Sequence, residues 1–469
     1  MKVCLINPPI TLRDRYGSIT HEGGGRQAPL GICYIAAVLI RNKIPVSIID
    51  AEAENISIND VIKRLKKFKC DFIGITSTTV AFYKAVELAK KIKKFNKEIF
   101  IAIGGPHVST IPKMTMKHTC FDVGIVGEGE CTILELITSL INKENFENID
   151  GLVFQKKGKI IRTNQRKPIE NLDDLPYPAR ELLPDKNLYN PPPMNYQKKP
   201  VLSIVTSRGC PNKCTFCNHA VFGYKYRIHS SRRIVQEIKM LIKEYNAKEI
   251  SIVDDNFTVD NTRVFELCSL IKQDHINIPW TARVSENTVT KKLLKVMKEA
   301  GCWYIEIGIE SGSQRVLDDI KKETTLEKIA DIVKYADKIG ISVKGFFIIG
   351  YPTDTKESIE QTIKFAKKIP LTDIVTTIFT PFPNTEAFVQ AKKHGKLISG
   401  RDWTKFNNWE VVSLPGNITK TQLINYWKQM YRGFYFRPII VWKHLKQIKN
   451  WTAVQRYVKG VKILIKTLF

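Results

Sequence analysis

Two runs of alternating strands and helices constrain the fold of this chain more than any other feature of its sequence. In residues 1–160, amphipathic helical segments separate five apolar segments, which read KVCLINPP, PVSIIDAE, DFIGITS, IFIAIGG and VGIVGEGE. Strand–helix–strand order at this spacing implies crossover connections, which build parallel sheets with helices on both faces. We therefore predict a doubly wound, Rossmann-like α/β domain over residues 1–160.

The turns after these strands are rich in small residues, such as TSTT after the third strand and GGPH after the fourth. Ligands of open parallel sheets bind outside the carboxyl ends of the strands, where such turns lie. The sequence therefore predicts a cleft for a large flat or phosphorylated ligand, and its expected lining is Ser77, Thr78, Gly104 and Gly105.

A second run of alternation begins at Val201, after a proline-rich segment over residues 161–199 that lacks periodicity and is typical of a linker. Its strands read VLSIVTS, EISIVDD, WTARV, WYIEIGI, SVKGFFIIG and DIVTTIF, and its helices are expected to begin near Ser231, Asn261, Thr290, Leu326 and Thr355. Successive strand–helix units that never double back predict a partial (β/α)6 barrel of the TIM type over residues 200–400.

Three cysteines follow the first barrel strand in the segment CPNKCTFC, namely Cys210, Cys214 and Cys217. Their uneven spacing leaves an odd thiol for disulfides and differs from the paired spacing of a zinc ribbon. Three thiolates at the rim of a barrel can hold a four-iron cluster with one open iron, whereas electron-transfer clusters use four cysteines. The alternative is a structural zinc ion with His219 or His229 as fourth ligand.

The segment CPNKCTFC resembles the cluster motif of the radical S-adenosylmethionine superfamily. Four further segments resemble that family in the same order: IVDDNFT (252–258), GIESGS (308–313), GFFIIGYP (345–352) and PFPNTE (381–386). The resemblance implies a [4Fe–4S] cluster on the three cysteines and S-adenosylmethionine contacts from Phe216, from Glu310 to the ribose, and from the strand between Gly345 and Gly350 along the adenine. It also implies an external one-electron donor such as flavodoxin or ferredoxin. The reaction would remove a hydrogen from an unactivated carbon by means of a 5′-deoxyadenosyl radical.

The first domain resembles the cobalamin-binding subfamily of these enzymes in APLGICYIAAVL (28–39), GGPHVS (104–109), VGEGE (126–130) and LDDLPYPAR (172–180). The resemblance implies that cobalamin lies in the predicted cleft, although some members keep the fold without the cofactor. The Asp-x-His-x-x-Gly motif is missing, because Ile19 stands where Asp would precede His21. We therefore expect no cobalt ligand from His21, and we expect His107 to be a turn residue that makes local hydrogen bonds.

The last segment, residues 401–469, is predicted to be helical, aromatic and basic. From Val411 to Phe469 it holds eleven Lys or Arg and no Asp or Glu, in a chain of net charge +27. Such helices can cover the barrel, lie on an anionic membrane surface or bind RNA. We expect part of the segment to cover the barrel. A membrane surface is its candidate partner, and we do not expect it to bind nucleic acid. The chain begins with a strand pattern and has no long apolar stretch, so a cytoplasmic protein is expected, with a peripheral membrane location as the alternative.

The favoured function is a cobalamin-dependent radical C-methyltransferase that acts on a lipid, a tetrapyrrole or another secondary metabolite. An oxidative cyclase or rearrangement enzyme with the same cofactors is the first alternative. An enzyme similar to tRNA methylthiotransferases and a zinc-stapled nucleic-acid-binding protein are further alternatives, and the ordered barrel motifs argue against the last of them.

Overall fold

Two parallel sheets, one in each half of the chain, form the framework of the molecule. The structure is a computed structural model that describes residues 1–20, 23–400, 402–446, 448 and 451–468. The first sheet ends at Arg162 and the second begins at Val201.

The first sheet contains β1 (Val3–Asn7), β2 (Val46–Asp50), β3 (Phe72–Thr76), β4 (Phe100–Gly104), β5 (Val123–Ile125), β6 (Leu152–Lys156) and β7 (Lys159–Arg162). Its order is β2-β1-β3-β4-β5-β6-β7, and β1 to β5 are parallel, so the predicted doubly wound sheet is confirmed. The antiparallel hairpin of β6 and β7 extends one edge. The sequence did not predict it, because β7 carries a charge at each end and has no buried residue.

Helices cover both faces of this sheet: α1 (Leu12–Thr20), α2 (Leu30–Arg41), α3 (Ile58–Phe68), α4 (Phe82–Phe95), α5 (Pro106–Thr110), α6 (Pro112–Thr115) and α7 (Glu130–Asn142). Side chains alternate between the faces with the period of two that strands impose. Ile73 and Ile75 of β3 pack against α4 on one face, whereas Phe72 packs into the core of α2 and α7 on the other.

The linker follows the surface of both halves and forms three 3-10 turns, Leu172–Asp174, Arg180–Leu182 and Lys186–Leu188. The Tyr189 hydroxyl donates to Asp50 Oδ2 of the first sheet at 2.8 Å. Arg180 donates to the carbonyl of Ser203 at 2.7 Å and to Glu237 Oε1 at 3.1 Å in the second half. The linker therefore fixes the two halves against each other.

The second sheet is an all-parallel, open barrel of six strands in the order β15-β14-β13-β12-β11-β8, as predicted. The strands are β8 (Val201–Ile204), β11 (Glu249–Ile252), β12 (Trp280–Val284), β13 (Cys302–Glu310), β14 (Ser342–Ile349) and β15 (Asp373–Ile378), and a short antiparallel pair is formed by β9 (Ser207–Arg208) and β10 (Arg227–Ile228). The helices are α8 (Ser231–Tyr245), α9 (Asn261–Gln273), α10 (Lys291–Glu299), α11 (Gln314–Asp319), α12 (Leu326–Lys338) and α13 (Lys356–Lys368). Side-chain caps set five of the helix starts, at Ser230, Asp260, Thr290, Thr325 and Thr355.

The remaining chain contains α14 (Glu386–His394), β16 (Gly395–Leu397), the 3-10 turn Trp403–Lys405, β17 (Ser413–Pro415), α15 (Lys420–Tyr435), α16 (Pro438–Lys446) and α17 (Trp451–Leu468). Side chains of α15 satisfy the edge of β15: Trp427 Nε1 donates to the Thr376 carbonyl at 2.8 Å, and the Tyr431 hydroxyl accepts from the Thr376 amide at 3.0 Å. The expectation that part of this segment covers the barrel is confirmed. Among the helices of the described residues, none combines the length and apolarity that crossing a membrane requires.

Candidate active site

The carboxyl ends of both sheets open into one cavity of about 810 Å³. From the first domain its walls include Asn7, Thr76, Thr78, Gly104 and Gly105; from the second they include Phe216, Cys217, Asn218, His219 and Asp255. Strand order reverses between β1 and β3, which is where doubly wound sheets bind ligands. The cavity therefore brings the predicted cobalamin turns and the cysteine loop to the same space.

The glycine turn after β4 leaves part of the cavity wall without side chains. Gly105 has a φ of +95°, and a Cβ placed there would lie 2.9 Å from Thr76 Oγ1 and 3.0 Å from the Ser77 amide nitrogen. Thr78 Oγ1 is buried and has no hydrogen-bond partner among the described residues. Ser77 is buried, and its hydroxyl donates to the Thr78 carbonyl at 2.9 Å, so Thr78 rather than Ser77 faces the cavity. The turn fits a large flat ligand. The contacts of Ser77, Thr78, Gly104 and Gly105 with cobalamin stay predictions.

His107 lies behind this wall, in the core rather than in the cavity. Its ring stacks on Phe82 with centroids 4.0 Å apart and meets the edge of Trp403. Burial lowers its pKa to about 3, so the imidazole is neutral at physiological pH. The expectation of a turn residue is corrected, because His107 lies in α5. Within the described residues its hydrogen bonds come from its backbone, whose amide donates to the Ser77 carbonyl at 3.1 Å. His21 lies outside the described residues. Among the described residues that line the cavity, His219 is the one histidine.

The cysteine loop places its three thiols in different surroundings. Cys214 is buried, Cys210 is half-buried, and Cys217 opens into the cavity. Gly209 precedes the loop with a φ of +85°, and a Cβ there would lie 2.3 Å from the Lys225 carbonyl oxygen, so glycine is required. Burial raises the pKa of Cys214 to about 11, which keeps the thiol protonated until metal binding displaces the proton.

This set of soft thiol donors suits an iron–sulfur cluster. No three or more His, Cys, Asp or Glu side chains of the described residues are grouped so as to hold a single metal ion. His229 Nδ1 lies 3.0 Å from Asp173 Oδ1 and is engaged there, and the His219 ring stacks on Tyr224. The described residues therefore give the zinc alternative no support.

A buried ion network joins the cysteine loop to the first domain. Arg208 of β9 donates to Glu128 Oε1 at 2.7 Å and to Glu130 Oε1 at 2.6 Å, and Arg227 donates to Glu128 Oε2 at 2.7 Å. All four side chains are buried. Two positive and two negative charges balance, and each has hydrogen bonds, which is the condition for tolerating charge in the interior. We call Glu128, Glu130, Arg208 and Arg227 the interdomain clamp.

Glu310 ends β13 with a φ of +64°, and its carboxylate is buried beside Lys322, with Oε1 and Nζ 3.3 Å apart. A Cβ at Gly308 would lie 2.3 Å from Glu310 Oε1, so this glycine makes room for the carboxylate. Burial disfavours the Lys322 ammonium, but Glu310 and Glu286 outweigh it and raise the pKa of Lys322. Glu286 Oε1 is buried without a partner among the described residues. Lys322 and Glu286 escaped the sequence analysis because each lies in a polar run typical of exposed residues.

The predicted glycines Gly345 of β14 and Gly350, directly after β14, face packed side chains. A Cβ at Gly345 would meet Ile309 at 2.9 Å and Leu371 at 3.0 Å, and one at Gly350 would meet Leu423 at 2.9 Å. Any contact of theirs with a cofactor must therefore come from the backbone. Phe216 is half-buried next to Cys214 and lines the cavity. The S-adenosylmethionine contacts of these residues stay predictions.

A second cavity of about 620 Å³, which the sequence analysis did not predict, occupies the lumen of the barrel. On its strand side, Glu306 lies 3.1 Å from Arg283 Nε and 3.0 Å from Lys344 Nζ. Although burial acts against ionisation, Lys344 and Arg283 hold the pKa of Glu306 at about 2. Much of the opposite wall is aromatic and consists of Trp409, Trp427, Tyr431, Tyr435 and Tyr457. Arg15, Gln27 and Glu52 line both cavities, so the lumen adjoins the larger one.

Comparison with known proteins identifies a domain in each half of the chain. Residues 204–366 match the model of the radical SAM superfamily, and residues 18–137 match that of the B12 binding domain. An uncharacterized methyltransferase of Pyrococcus horikoshii is 36% identical over 464 residues, which is 98% of each chain. The anaerobic magnesium-protoporphyrin IX monomethyl ester cyclase of Rubrivivax gelatinosus is 28% identical over 93% of this chain and 77% of its own. The solved structure of the radical S-adenosylmethionine methyltransferase TsrM from Kitasatospora setae has the same fold, with a TM-score of 0.75 and 14% identity over 100% of this chain and 99% of that one.

An open barrel with a cysteine trio at its rim, facing a doubly wound domain, defines a radical enzyme with a second cofactor domain. The chain belongs to the family of radical S-adenosylmethionine enzymes that carry a B12-binding domain. The matched domains imply a [4Fe–4S] cluster, S-adenosylmethionine and cobalamin as its cofactors.

Proposed function

We propose that this enzyme transfers a methyl group to an unactivated carbon of a small molecule or lipid bound in the barrel lumen. The observation that carries the proposal is the adjacency of the cavities: the glycine turn and Cys217 line one, and the lumen shares Arg15, Gln27 and Glu52 with it. When bound, the cluster and S-adenosylmethionine supply the radical that removes hydrogen from the carbon, and cobalamin supplies the methyl group.

In this proposal each predicted site residue has a defined task. Cys210, Cys214 and Cys217 hold the cluster at the cavity, and the backbone around Gly104 and Gly105 leaves room for the corrin. Glu310, held in place by Lys322, accepts hydrogen bonds from the ribose of S-adenosylmethionine. A charged acceptor binds hydroxyl donors more strongly than a neutral one does, so its loss should weaken binding by about 1.5–3 kcal/mol.

The lumen sets the expected substrate chemistry. Aromatic side chains form much of one wall, and buried charged groups line the strands. Asp373 is buried and accepts from the Tyr304 hydroxyl at 3.1 Å through Oδ2, and its Oδ1 lies 3.6 Å from His444 Nε2. A substrate with a large apolar body and a hydrogen-bond donor at one end fits this lining. A lipid or a tetrapyrrole with a polar substituent has that chemistry.

Oxidative ring formation with the same cofactors is the second candidate, because similarity to the magnesium-protoporphyrin cyclase extends over 93% of this chain. Both reactions begin by removing hydrogen from carbon, and they differ in whether a methyl group is added.

Labelled methyl groups distinguish the two. The anaerobically reconstituted enzyme is incubated with a metabolite extract, a reducing system and S-adenosylmethionine that carries a CD3 group. Methyl transfer predicts a product heavier by one CD3 group, together with 5′-deoxyadenosine and S-adenosylhomocysteine. A product without deuterium, formed along with 5′-deoxyadenosine, would replace methyl transfer by cyclisation or rearrangement.

We further propose a cytoplasmic enzyme that receives electrons from flavodoxin or ferredoxin and contacts the membrane surface through its C-terminal helices. The eleven Lys and Arg residues after Val411, with no acidic residue among them, support contact with acidic partners.

A further inference from the structure

Helix α17 exposes a row of large apolar side chains. Trp451, Val458, Val461 and Ile465 are spaced by seven, three and four residues, which places them on one face. Trp451 is 73% exposed and the other three about half. Ala453 and Tyr457, on another face of the helix, are buried. The helix is therefore packed on the protein while these four side chains stay exposed. We call these four residues the apolar row.

Lysines stand beside the apolar row at the same helical spacing. Lys459, Lys462 and Lys466 each follow one of its members, and all three are exposed. On α16, the exposed Lys446 lies over the ring of the half-exposed Trp442. Some other cations of the region are engaged within the protein, such as Lys443 with Asp337. The exposed lysines, in a segment without acidic residues, give this surface a positive charge.

The same surface borders the mouth of the lumen. Val441 and Leu445 of α16 and Val461 of α17 are each about half exposed, yet each also lines the lumen cavity. Side chains that belong to both a surface and a cavity lie where the cavity opens. Ile463 and Leu464 of α17 continue the apolar lining inward. An apolar path therefore runs from the outer surface of the helices to the place where we expect the substrate.

We propose that α16 and α17 dock on an anionic lipid surface and that the lumen opens toward the bilayer, so that an apolar substrate enters it from the lipid. Apolar rows flanked by lysine bind the boundary between headgroups and acyl chains, and each cation near an anionic surface adds attraction. The docking deepens the proposed membrane contact and is argued from the helices, whereas the entry of substrate rests on the proposed methyl transfer in the lumen.

Vesicle binding of the full chain, purified without oxygen, tests the docking. The protein sediments with vesicles of phosphatidylcholine containing about 30% phosphatidylglycerol at low salt, and much less with phosphatidylcholine alone or at high salt. The double variant Lys459→Glu with Lys462→Glu should bind at least about tenfold more weakly. Lys67→Glu with Lys94→Glu makes the same charge change on exposed helix positions of the first domain and should bind as the wild type does.

The apolar contribution is tested separately. Val458→Ser with Ile465→Ser should reduce binding severalfold, whereas Ile141→Ser with Val389→Ser removes comparable exposed side chains elsewhere and should not. Tryptophan emission should shift to the blue on anionic vesicles, and Trp451→Phe should remove most of that shift. Absence of binding to anionic vesicles, or equal loss in both lysine variants, overturns the proposal. So does a stable dimer in sedimentation that only the Val458 and Ile465 variant dissociates, because a second copy then covers the apolar row. None of these readouts requires methyl transfer, so their failure is distinguishable from failure of the proposed methyl transfer.

Discussion

At the scale of single residues, Gly105 shows how a backbone conformation shapes the cofactor cavity. Its φ of +95° disfavours any residue with a Cβ, and the missing side chain lets Thr76 and Ser77 approach its backbone closely. A glycine turn at this position could be predicted from the segment GGPH, which follows an apolar strand. The positions of Lys322 and Glu286 could not, because long-range packing, and no local pattern, turns them inward beside Glu310.

Gly105→Leu should abolish cobalamin binding and leave iron content unchanged, because the new side chain collides with the turn and enters the cavity. Gly158→Leu is the matched control, since Gly158 has a φ of +76° in the β6–β7 turn but no atom within 4 Å of its Cβ position. Cobalamin content by absorbance and iron by chemical assay check both. Normal cobalamin content in Gly105→Leu would show that the corrin lies elsewhere.

His107 should make the stability of the protein depend on pH. Its pKa of about 3 in the folded protein lies below the ordinary value of 6.5, so between these values the unfolded chain binds more protons. Stability from this group is complete above pH 6.5 and falls as the pH drops toward 3. Between pH 8 and pH 5 the loss amounts to about 2 kcal/mol.

Urea unfolding of the wild type and of His107→Leu at these two pH values measures that loss. Leucine can occupy the site because the His107 ring packs on Phe82 and has no hydrogen bond within the part of the chain that the structure describes. The variant should lose about 2 kcal/mol less than the wild type over this range. An identical loss in both proteins would contradict the assignment of a neutral buried imidazole.

At the scale of elements, the interdomain clamp fixes the strand end of β5 against β9, directly before Cys210. The parallel strands of both sheets could be predicted, since each is an apolar run bounded by a turn. Their mutual placement could not, because the clamp joins Glu128 to Arg208 across 80 positions of the chain. The hairpin of β6 and β7 escaped prediction for a different reason, since an exposed edge strand such as β7 has no buried face to create a periodic pattern.

Glu128→Gln should destabilise the protein by about 3 kcal/mol, because it leaves Arg208 and Arg227 buried with less negative charge than they need. Glu135→Gln is its control: Glu135 also pairs with an arginine, Arg166, but is half exposed, so the cost should stay below about 1 kcal/mol. Urea unfolding of both variants measures the difference. Equal, small costs would mean that water reaches the clamp and screens it.

At the scale of the whole molecule, two cofactor-binding units face each other across one cavity, and the lumen next to it is covered by α15 to α17. Sequence motifs predicted each unit, because strand–turn–ligand order is local. The shared cavity and the aromatic wall of the lumen arise from packing between segments that are distant in the chain. Tyr431 bonds to Thr376 across 55 positions, and Arg15 and Arg283, 268 positions apart, line the same lumen, so no local pattern specifies them. The domain boundaries at residues 160, 200 and 400 stay predictions.

The central claim is that Cys210, Cys214 and Cys217 hold the cluster while a separate wall of the same cavity holds cobalamin. The test is the variant in which all three cysteines are replaced by alanine, purified without oxygen. Its iron content, its cobalamin content and its formation of 5′-deoxyadenosine are measured. The variant should lose its iron and all cleavage of S-adenosylmethionine and should keep wild-type cobalamin, because the glycine turn is untouched. Normal iron in that variant would contradict the account, since the other seven cysteines are dispersed along the chain.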